Sequence, residues 1–291
     1  MRVIEPRNKS MVPGQPKKTK PTRKKKASMF GLFCLLVIGG SIYSFIINPN
    51  NTNTLTVDVS PGAESQSIVE VQEPKKTGSR EFSGNEFRLL FDNILLPNTE
   101  KVELPPFITG DSIADARIRQ IAELRGYKLR RNSSGPLVNV DGYPMQEPAK
   151  QPWEDLKNSA KQDGKIMSIV SGFRDINEQR ILFLSKLETF GVKTSEIVVG
   201  NVDEDIDRIL VTVSIPGYSK HHTGYVFDLL CAGWSFENFK DSNCHDWLSN
   251  NNYENAKKFG FIPSYPLDAD LQGPDPEAWE YVYIGTDILN H

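Results

Sequence analysis

The stretch Ser214–Leu229, SIPGYSKHHTGYVFDL, sets two adjacent histidines, a glycine and a single aspartate inside an otherwise apolar run. Only four histidines occur in 291 residues, and His221 and His222 stand seven and six positions before Asp228. On a straight strand, positions seven apart face opposite sides. His221 and Asp228 therefore converge only if the chain turns between them. Thr223-Gly224 supplies that turn, because glycine accepts backbone angles that other residues avoid. Beyond it, Tyr225 and Phe227 share one face of a strand, and Val226 and Asp228 share the other. A carboxylate on such a face needs a positive partner or a metal. The stretch alone admits two outcomes: half of a nitrogen/oxygen metal site, or a structural His–Asp hydrogen bond.

Outward from this strand the pattern mixes helices with scattered short strands. FRLLFDNILL suits a short helix. DSIADARIRQIAELRG is a clearer one, capped by Asp111 or Ser112, striped by Ile118, Ile121, Ala122 and Leu124, and stopped by Gly126. Pro152 and WEDLKNSAKQDG predict another helix, ended by Gly164. KIMSIVSGF is a buried strand followed by a turn, and INEQRILFLSKLETFG returns to helix. DEDIDRILVTVS fits helix or strand. GYVFDLLCAG and EYVYIG are strands, with one helix between them in CHDWLSNNNYENAKKFGF. No internal repeat and no regular strand–helix alternation occurs, so the fold class is α+β.

The net charge of -3 conceals an asymmetry. Residues 1–26 carry ten Lys/Arg against Glu5 alone, which leaves the remainder at a net of -12. Directly after the basic tail, Met29–Ile47 (MFGLFCLLVIGGSIYSFII) runs nineteen residues without a charge. At about 1.5 Å per residue such a helix spans roughly 28 Å, close to a bilayer's hydrocarbon core. No small-residue cleavage site follows, so the span is expected to be a single transmembrane signal anchor rather than a removed leader. The positive flank stays cytoplasmic and sends the rest outside. Its position assigns the basic tail to topology and the membrane surface, and no nucleic-acid role is expected. Residues 48–81 are polar, lack aromatics and read as a flexible tether. The expected organisation is a cytoplasmic tail (1–28), a membrane span (29–47), a tether (48–81) and a folded extracytoplasmic domain (82–291).

Three further features bear on chemistry. Cys231 and Cys244 lie thirteen apart in the exported part, where they either pair or remain two buried thiols. SGFRDINEQ gathers Ser171, Arg174 and Gln179 around the turn after a core strand. Arg174 there either grips a carboxylate with its planar fork or makes a surface ion pair. PEAWEYVYIG holds Glu277 and Glu280 beside Trp279, as site acids or as a solvated strand end.

Taken in order, these segments resemble the VanY-like D-alanyl-D-alanine carboxypeptidases of the LAS type, peptidoglycan metallopeptidases of family M15. The family's S-G-[FY]-R…Q is matched by Ser171-Gly172-Phe173-Arg174 with Gln179. Its S-x-H-x-x-G-x-A-x-D is matched by Ser219 through His221 and Gly224 to Asp228, with Val226 for the alanine. WLSNNNYENAKKFGFIPSYP resembles a further family segment, and the likeness covers roughly residues 112–285. It implies a small antiparallel sheet flanked by helices. It also implies His221 and Asp228 as zinc ligands and Glu277 as general base. Arg174 with Ser171 and Gln179 would orient the peptide and stabilise developing charge, and Ser219 and Trp279 would line the substrate site.

One position departs. The family's E-P-W-H-W-R-Y-V-G aligns with Glu277-Ala278-Trp279-Glu280-Tyr281-Val282-Tyr283-Ile284-Gly285, so Glu280 stands where the second zinc histidine is expected. A carboxylate is an accepted zinc ligand. It lowers the charge of the loaded site by one, acidifies a bound water less and shifts preference toward harder ions such as Mn²⁺. His222 and His245 are the other candidates for a third nitrogen ligand. Two functional readings follow from the resemblance. One is a zinc carboxypeptidase, anchored in a bacterial cytoplasmic membrane through residues 29–47, that trims D-Ala-terminated peptidoglycan stem peptides. The other is a catalytically weak relative that binds peptidoglycan without cutting it.

Overall fold

The computed structural model describes residues 80–289. The basic tail, the apolar span 29–47 and nearly all of the tether lie outside the described residues. Among the described residues no helix is long and apolar enough to cross a membrane. The chain enters through α1 (Gly84–Asn93), whose N-terminus is closed by a capping box of Ser83 and Glu86. Strand β1 (Thr99–Lys101) precedes α2 (Ser112–Leu124), which Asp111 caps through the amides of Ile113 and Ala114. β2 (Arg131–Ser133) pairs with β1. β3 (Leu137–Val140) and β4 (Tyr143–Gln146) form a hairpin closed by Asp141-Gly142, both at positive φ. Such a two-residue loop matches the strand twist.

Helix α3 (Lys150–Gln162) leads to β5 (Met167–Ser171), followed by α4 (Ile176–Thr189), α5 (Thr194–Val199) and α6 (Asp203–Leu210). The segment that fitted helix or strand is thus helix to Leu210 and irregular beyond. β6 (Val226–Cys231), α7 (Asn243–Lys257), β7 (Phe261–Tyr265) and β8 (Glu277–Tyr283) complete the chain. Four strands form one antiparallel sheet in the order β5-β6-β8-β7. The α+β class and the small antiparallel sheet flanked by helices are borne out.

Two apolar cores flank the site. One lies on the sheet, where Trp153 of α3 stacks on Phe227 at 5.7 Å and Phe227 meets Phe261 edge-on at 5.3 Å. The other is helical and joins α2, α4, α5 and α6 through Ile118, Phe183, Ile197 and Ile206, all fully buried. The expected alternation in β6 is therefore only half the story: Val226, Phe227, Asp228 and Leu229 are all buried, because both faces of this central strand are covered.

α7 departs from the single helix expected. Asn250–Tyr253 leave helical geometry, and Asn251, Asn252 and Tyr253 take positive φ. Asparagine tolerates this region better than most residues. The reason for the break is visible: the Asn252 side chain accepts from Phe82 N at 2.8 Å and donates to Phe82 O at 2.7 Å, clamping the start of the domain.

Cys231, at the end of β6, is disulfide-bonded to Cys244 in the first turn of α7, across thirteen residues. Closing a loop of that size restricts the unfolded chain by about 3 kcal/mol. The double variant Cys231→Ala/Cys244→Ala should lower the melting temperature by roughly 6–12 °C. Scanning calorimetry measures this, and a melt that does not move would assign the bridge no stabilising part.

Candidate metal centre

Ser219 caps a 3-10 turn over Lys220–Thr223, its hydroxyl accepting from the His221 amide at 3.3 Å. Gly224 ends the turn at φ 75°, donating its amide to His221 O at 3.2 Å. A Cβ there would lie 3.1 Å from both Gln146 Cγ and Leu137 Cδ2, so space as well as backbone angle favours glycine. The chain then reverses into β6 and brings Asp228 back beneath His221.

Strand pairing supplies the rest. Asp228 is paired with Ser171 of β5 on one side and Glu280 of β8 on the other, so the three residues form a row across the sheet. The two strands that flank β6 are both irregularly paired beside this row. β5 places Ile169 and Ser171 against Leu229 and Asp228, and β8 places Tyr281 and Glu277 against Pro263 and Tyr265. Such irregularities re-aim side chains. This is how Glu277 and Glu280, three apart and opposed on a straight strand, come to line one cleft.

The His221 ring donates Nδ1–H to the Gly172 carbonyl at 2.6 Å, which leaves Nε2 with its lone pair turned inward. Nε2 lies 3.5 Å from Asp228 Oδ1 and 3.3 Å from Glu280 Oε2. Ligand atoms from His221, Asp228 and Glu280 all fall within 4.8 Å of one another, and all three residues are buried. Asp228 Oδ1 and Glu280 Oε1 are buried without a hydrogen-bond partner. A converging nitrogen lone pair and unpaired carboxylate oxygens, withdrawn from water, are costly unless a cation sits among them. One nitrogen and two oxygens are also an acceptable donor set for Zn²⁺. The residues fit a divalent cation.

The proton affinities carry the same message. Burial opposes a charged imidazole, yet Asp228 and Glu280 outweigh it and lift His221 to about 10. Burial would likewise raise Glu280, but the His221 ring, with help from Lys220 and Ser264, holds it down to about 2. Glu277 has no such partner: burial, then the Glu280 and Asp228 carboxylates, push it well above the usual carboxylate range. The cluster captures a proton where it lacks a stronger positive charge.

Arg174 enters from the turn after β5. Its Nη1 donates to Gln179 Oε1 at 2.9 Å and its Nη2 to Ser171 Oγ at 3.2 Å, while Gln179 donates onward to Ser214 O at 2.6 Å. The surface ion pair left open by the sequence is not formed; among the described residues Arg174 makes no salt bridge. His222 is turned away from the cluster. Its Nδ1 donates to Arg174 O at 2.7 Å and its Nε2 accepts from the Gly217 amide at 3.0 Å, a structural role that joins two loops. His245 sits in the first turn of α7 against Phe239 and is absent from the ligand group. Neither is the third nitrogen donor.

Ser219, Trp279, Glu277, Arg174 and Gln179 line one cleft of about 570 Å³ with the three ligand candidates, and Trp279 packs on Phe236 at 4.7 Å. Sequence reasoning missed Tyr127 and Tyr265, which lie far apart in the chain, and Leu182 and Lys186 of α4. The α4 pair was findable: positions 179, 182 and 186 share one helical face. It also missed the Gly172 carbonyl that orients His221. Gly172 is required there, since a Cβ would lie 2.5 Å from Met145 Sδ.

Residues 143–286 match the family model VanY, described as D-alanyl-D-alanine carboxypeptidase, so the matched segment begins later than residue 112. A D-alanyl-D-alanine carboxypeptidase of Enterococcus faecalis is 27% identical over 159 residues, covering 54% of this chain and 52% of that protein. A second, from Enterococcus faecium, is 27% identical over 143 residues, covering 48% of this chain and 38% of that protein. The chain thus spans about half the length, or less, of these curated relatives. Among solved structures, the vancomycin-resistance D,D-dipeptidase VanXYg with a D-Ala-D-Ala phosphinate analogue is 23% identical, covers 55% of this chain and 60% of its own, and has a TM-score of 0.43.

His222 offers a pH test of the scaffold. Burial is the main force that drops it from 6.5 to about 4. Its folded-state value is depressed, so as pH falls below 6.5 the unfolded chain binds a proton that the folded chain refuses, and stability is lost down to about 4. In urea titrations of metal-free protein, His222→Gln should flatten this limb by up to about 3 kcal/mol relative to wild type. Parallel curves for the two proteins would contradict the assignment.

Proposed function

We propose that this chain, VanY-like over residues 143–286, is a zinc peptidase that removes the terminal D-alanine from peptidoglycan stem peptides. The observation that supports this most directly is the buried convergence of His221, Asp228 and Glu280 with Glu277 lining the same cleft. His221 would hold Zn²⁺ through Nε2, and Asp228 and Glu280 through carboxylate oxygens. When bound, the metal would supply Lewis acidity toward the scissile carbonyl and make water a better nucleophile near neutral pH.

The remaining work falls to side chains. Glu277 takes a proton from the attacking water and passes it to the departing amine, a role suited to a carboxylate whose proton affinity burial and neighbouring charge have raised. Arg174, held in plane by Gln179 and Ser171, presents its remaining N–H groups to a carboxylate or to the oxygen on which negative charge develops. Ser219 and the Trp279–Phe236 pair form walls against which the peptide lies. Glu280 makes the loaded site less positive than one with a second histidine. This favours harder ions, Mn²⁺ among them, and is the feature behind the alternative reading as a weakly active peptidoglycan-binding relative.

The basic tail, the apolar run Met29–Ile47 and the polar stretch after it complete the proposal. They would anchor the domain by one span in a bacterial cytoplasmic membrane, with residues 82–291 on the outer side. A tether of about 35 residues has an r.m.s. span near 30 Å, enough for the domain to search the wall above the membrane.

Two substitutions test the chemistry. Glu277→Gln should retain zinc, measured by elemental analysis, and lower turnover of a D-Ala-terminated pentapeptide by at least about 100-fold; undiminished turnover would remove Glu277 from the base role. Glu280→His should tighten zinc and raise activity near neutral pH. Loss of both would mean that the carboxylate belongs to a different site design.

A further inference from the structure

The cleft continues past the catalytic cluster along one face of α4. Gln179, Leu182 and Lys186 recur at intervals of three and four residues, and all three line the cleft. Gln179 is the residue that holds Arg174. Lys186, two helical turns further on, is only partly exposed and enters no ion pair among the described residues. A partly exposed ammonium with no carboxylate at ion-pair distance, lining the same cavity as a substrate-orienting guanidinium, is a binding group without an assigned partner. Thr212, Val213 and Ser214 also line the cleft, and of its carboxylates, Asp228, Glu237, Glu277 and Glu280, none lies within ion-pair distance of Lys186.

The helix sets the distance. Seven residues separate Lys186 from Gln179, about 10 Å along α4 at 1.5 Å per residue. An extended peptide advances roughly 3.3–3.6 Å per residue. A peptide whose reacting end is held at Arg174 and whose body follows this helix face therefore brings its second or third upstream residue to Lys186.

The geometry points to Lys186 as a specificity-determining residue that pairs with a carboxylate carried by the substrate two to three residues upstream of the cleaved bond. This rests on the peptidase reading above and narrows it: the preferred substrate is an acidic stem peptide, and its amidated counterpart is the poorer one. Leu182, between the two polar contacts, packs against the intervening backbone and excludes water from the pair.

The test uses the full-length, zinc-loaded protein and two synthetic probes, L-Ala-γ-D-Glu-L-Lys-D-Ala-D-Ala and the same peptide with the glutamate α-carboxylate amidated. Wild type should show the lower KM on the acid, with similar kcat on both. Lys186→Ala should raise KM for the acid roughly tenfold, the loss of one charge-assisted contact, and leave KM for the amide within about twofold. Lys186→Arg should restore the preference. Calorimetric titration of both probes into Glu277→Gln protein, with and without Lys186→Ala, gives the same comparison without turnover. An equal effect of Lys186→Ala on the two probes, or none on either, overturns the proposal. Acid-selective binding that depends on Lys186, in a protein that cleaves neither probe, would uphold the pairing while removing the peptidase reading.

Discussion

The structure turns on an electrostatic conflict placed at its centre. An imidazole nitrogen with its lone pair turned inward faces two carboxylates at 3.3–3.5 Å, in a pocket from which water is largely withdrawn. A third carboxylate, Glu277, lines the same cleft. Left alone, such a group is repulsive, and its members answer by taking up a proton: His221 rises while Glu280 falls. A divalent cation would resolve the same conflict with two positive charges instead of one. Much of the surrounding architecture serves to keep these donors from moving apart.

That restraint comes from backbone. The Gly172 carbonyl fixes the imidazole, the left-handed Gly224 folds it over β6, and strand pairing puts Asp228 and Glu280 side by side. The irregular pairing of β8 then turns Glu277 toward the cleft, while Ser171 of β5 reaches the site only through its hydrogen bond from Arg174. His222, adjacent to the ligand but facing the other way, ties Arg174 and Gly217 together so that the guanidinium stays near the cluster. A site assembled from strands and short turns holds its distances better than one carried on long loops: Asp228 is paired on both sides, Glu280 is paired with it, and His221 is fixed by the Gly172 carbonyl.

Much of this could be read from residues. The bend between His221 and Asp228 followed from the period of a strand and one glycine, and the helices α2, α3 and α4 followed from apolar spacing and caps. The pairing of Cys231 with Cys244, left open, is present. Other features were hidden for physical reasons. β7 contains Pro263 and reads poorly as a strand, but it lies at the sheet edge, where proline is tolerated. The β3–β4 hairpin is only four residues a side, although Asp141-Gly142 is a turn signal that could have located it. The break in α7 depends on a contact between Asn252 and Phe82, 170 residues apart, which no local pattern encodes. The roles of His222 and of the cleft walls likewise depend on what lies opposite, and only the fold supplies that.

The central claim concerns which atoms would grip the ion, and X-ray absorption at the zinc edge of the loaded protein addresses it without reference to activity. The account predicts a first coordination sphere of one imidazole nitrogen and oxygen donors only, at about 2.0–2.2 Å. It also predicts loss of the imidazole signal in His221→Ala. A sphere with two or more histidine nitrogens, or a protein that takes up no zinc at micromolar supply, would contradict it.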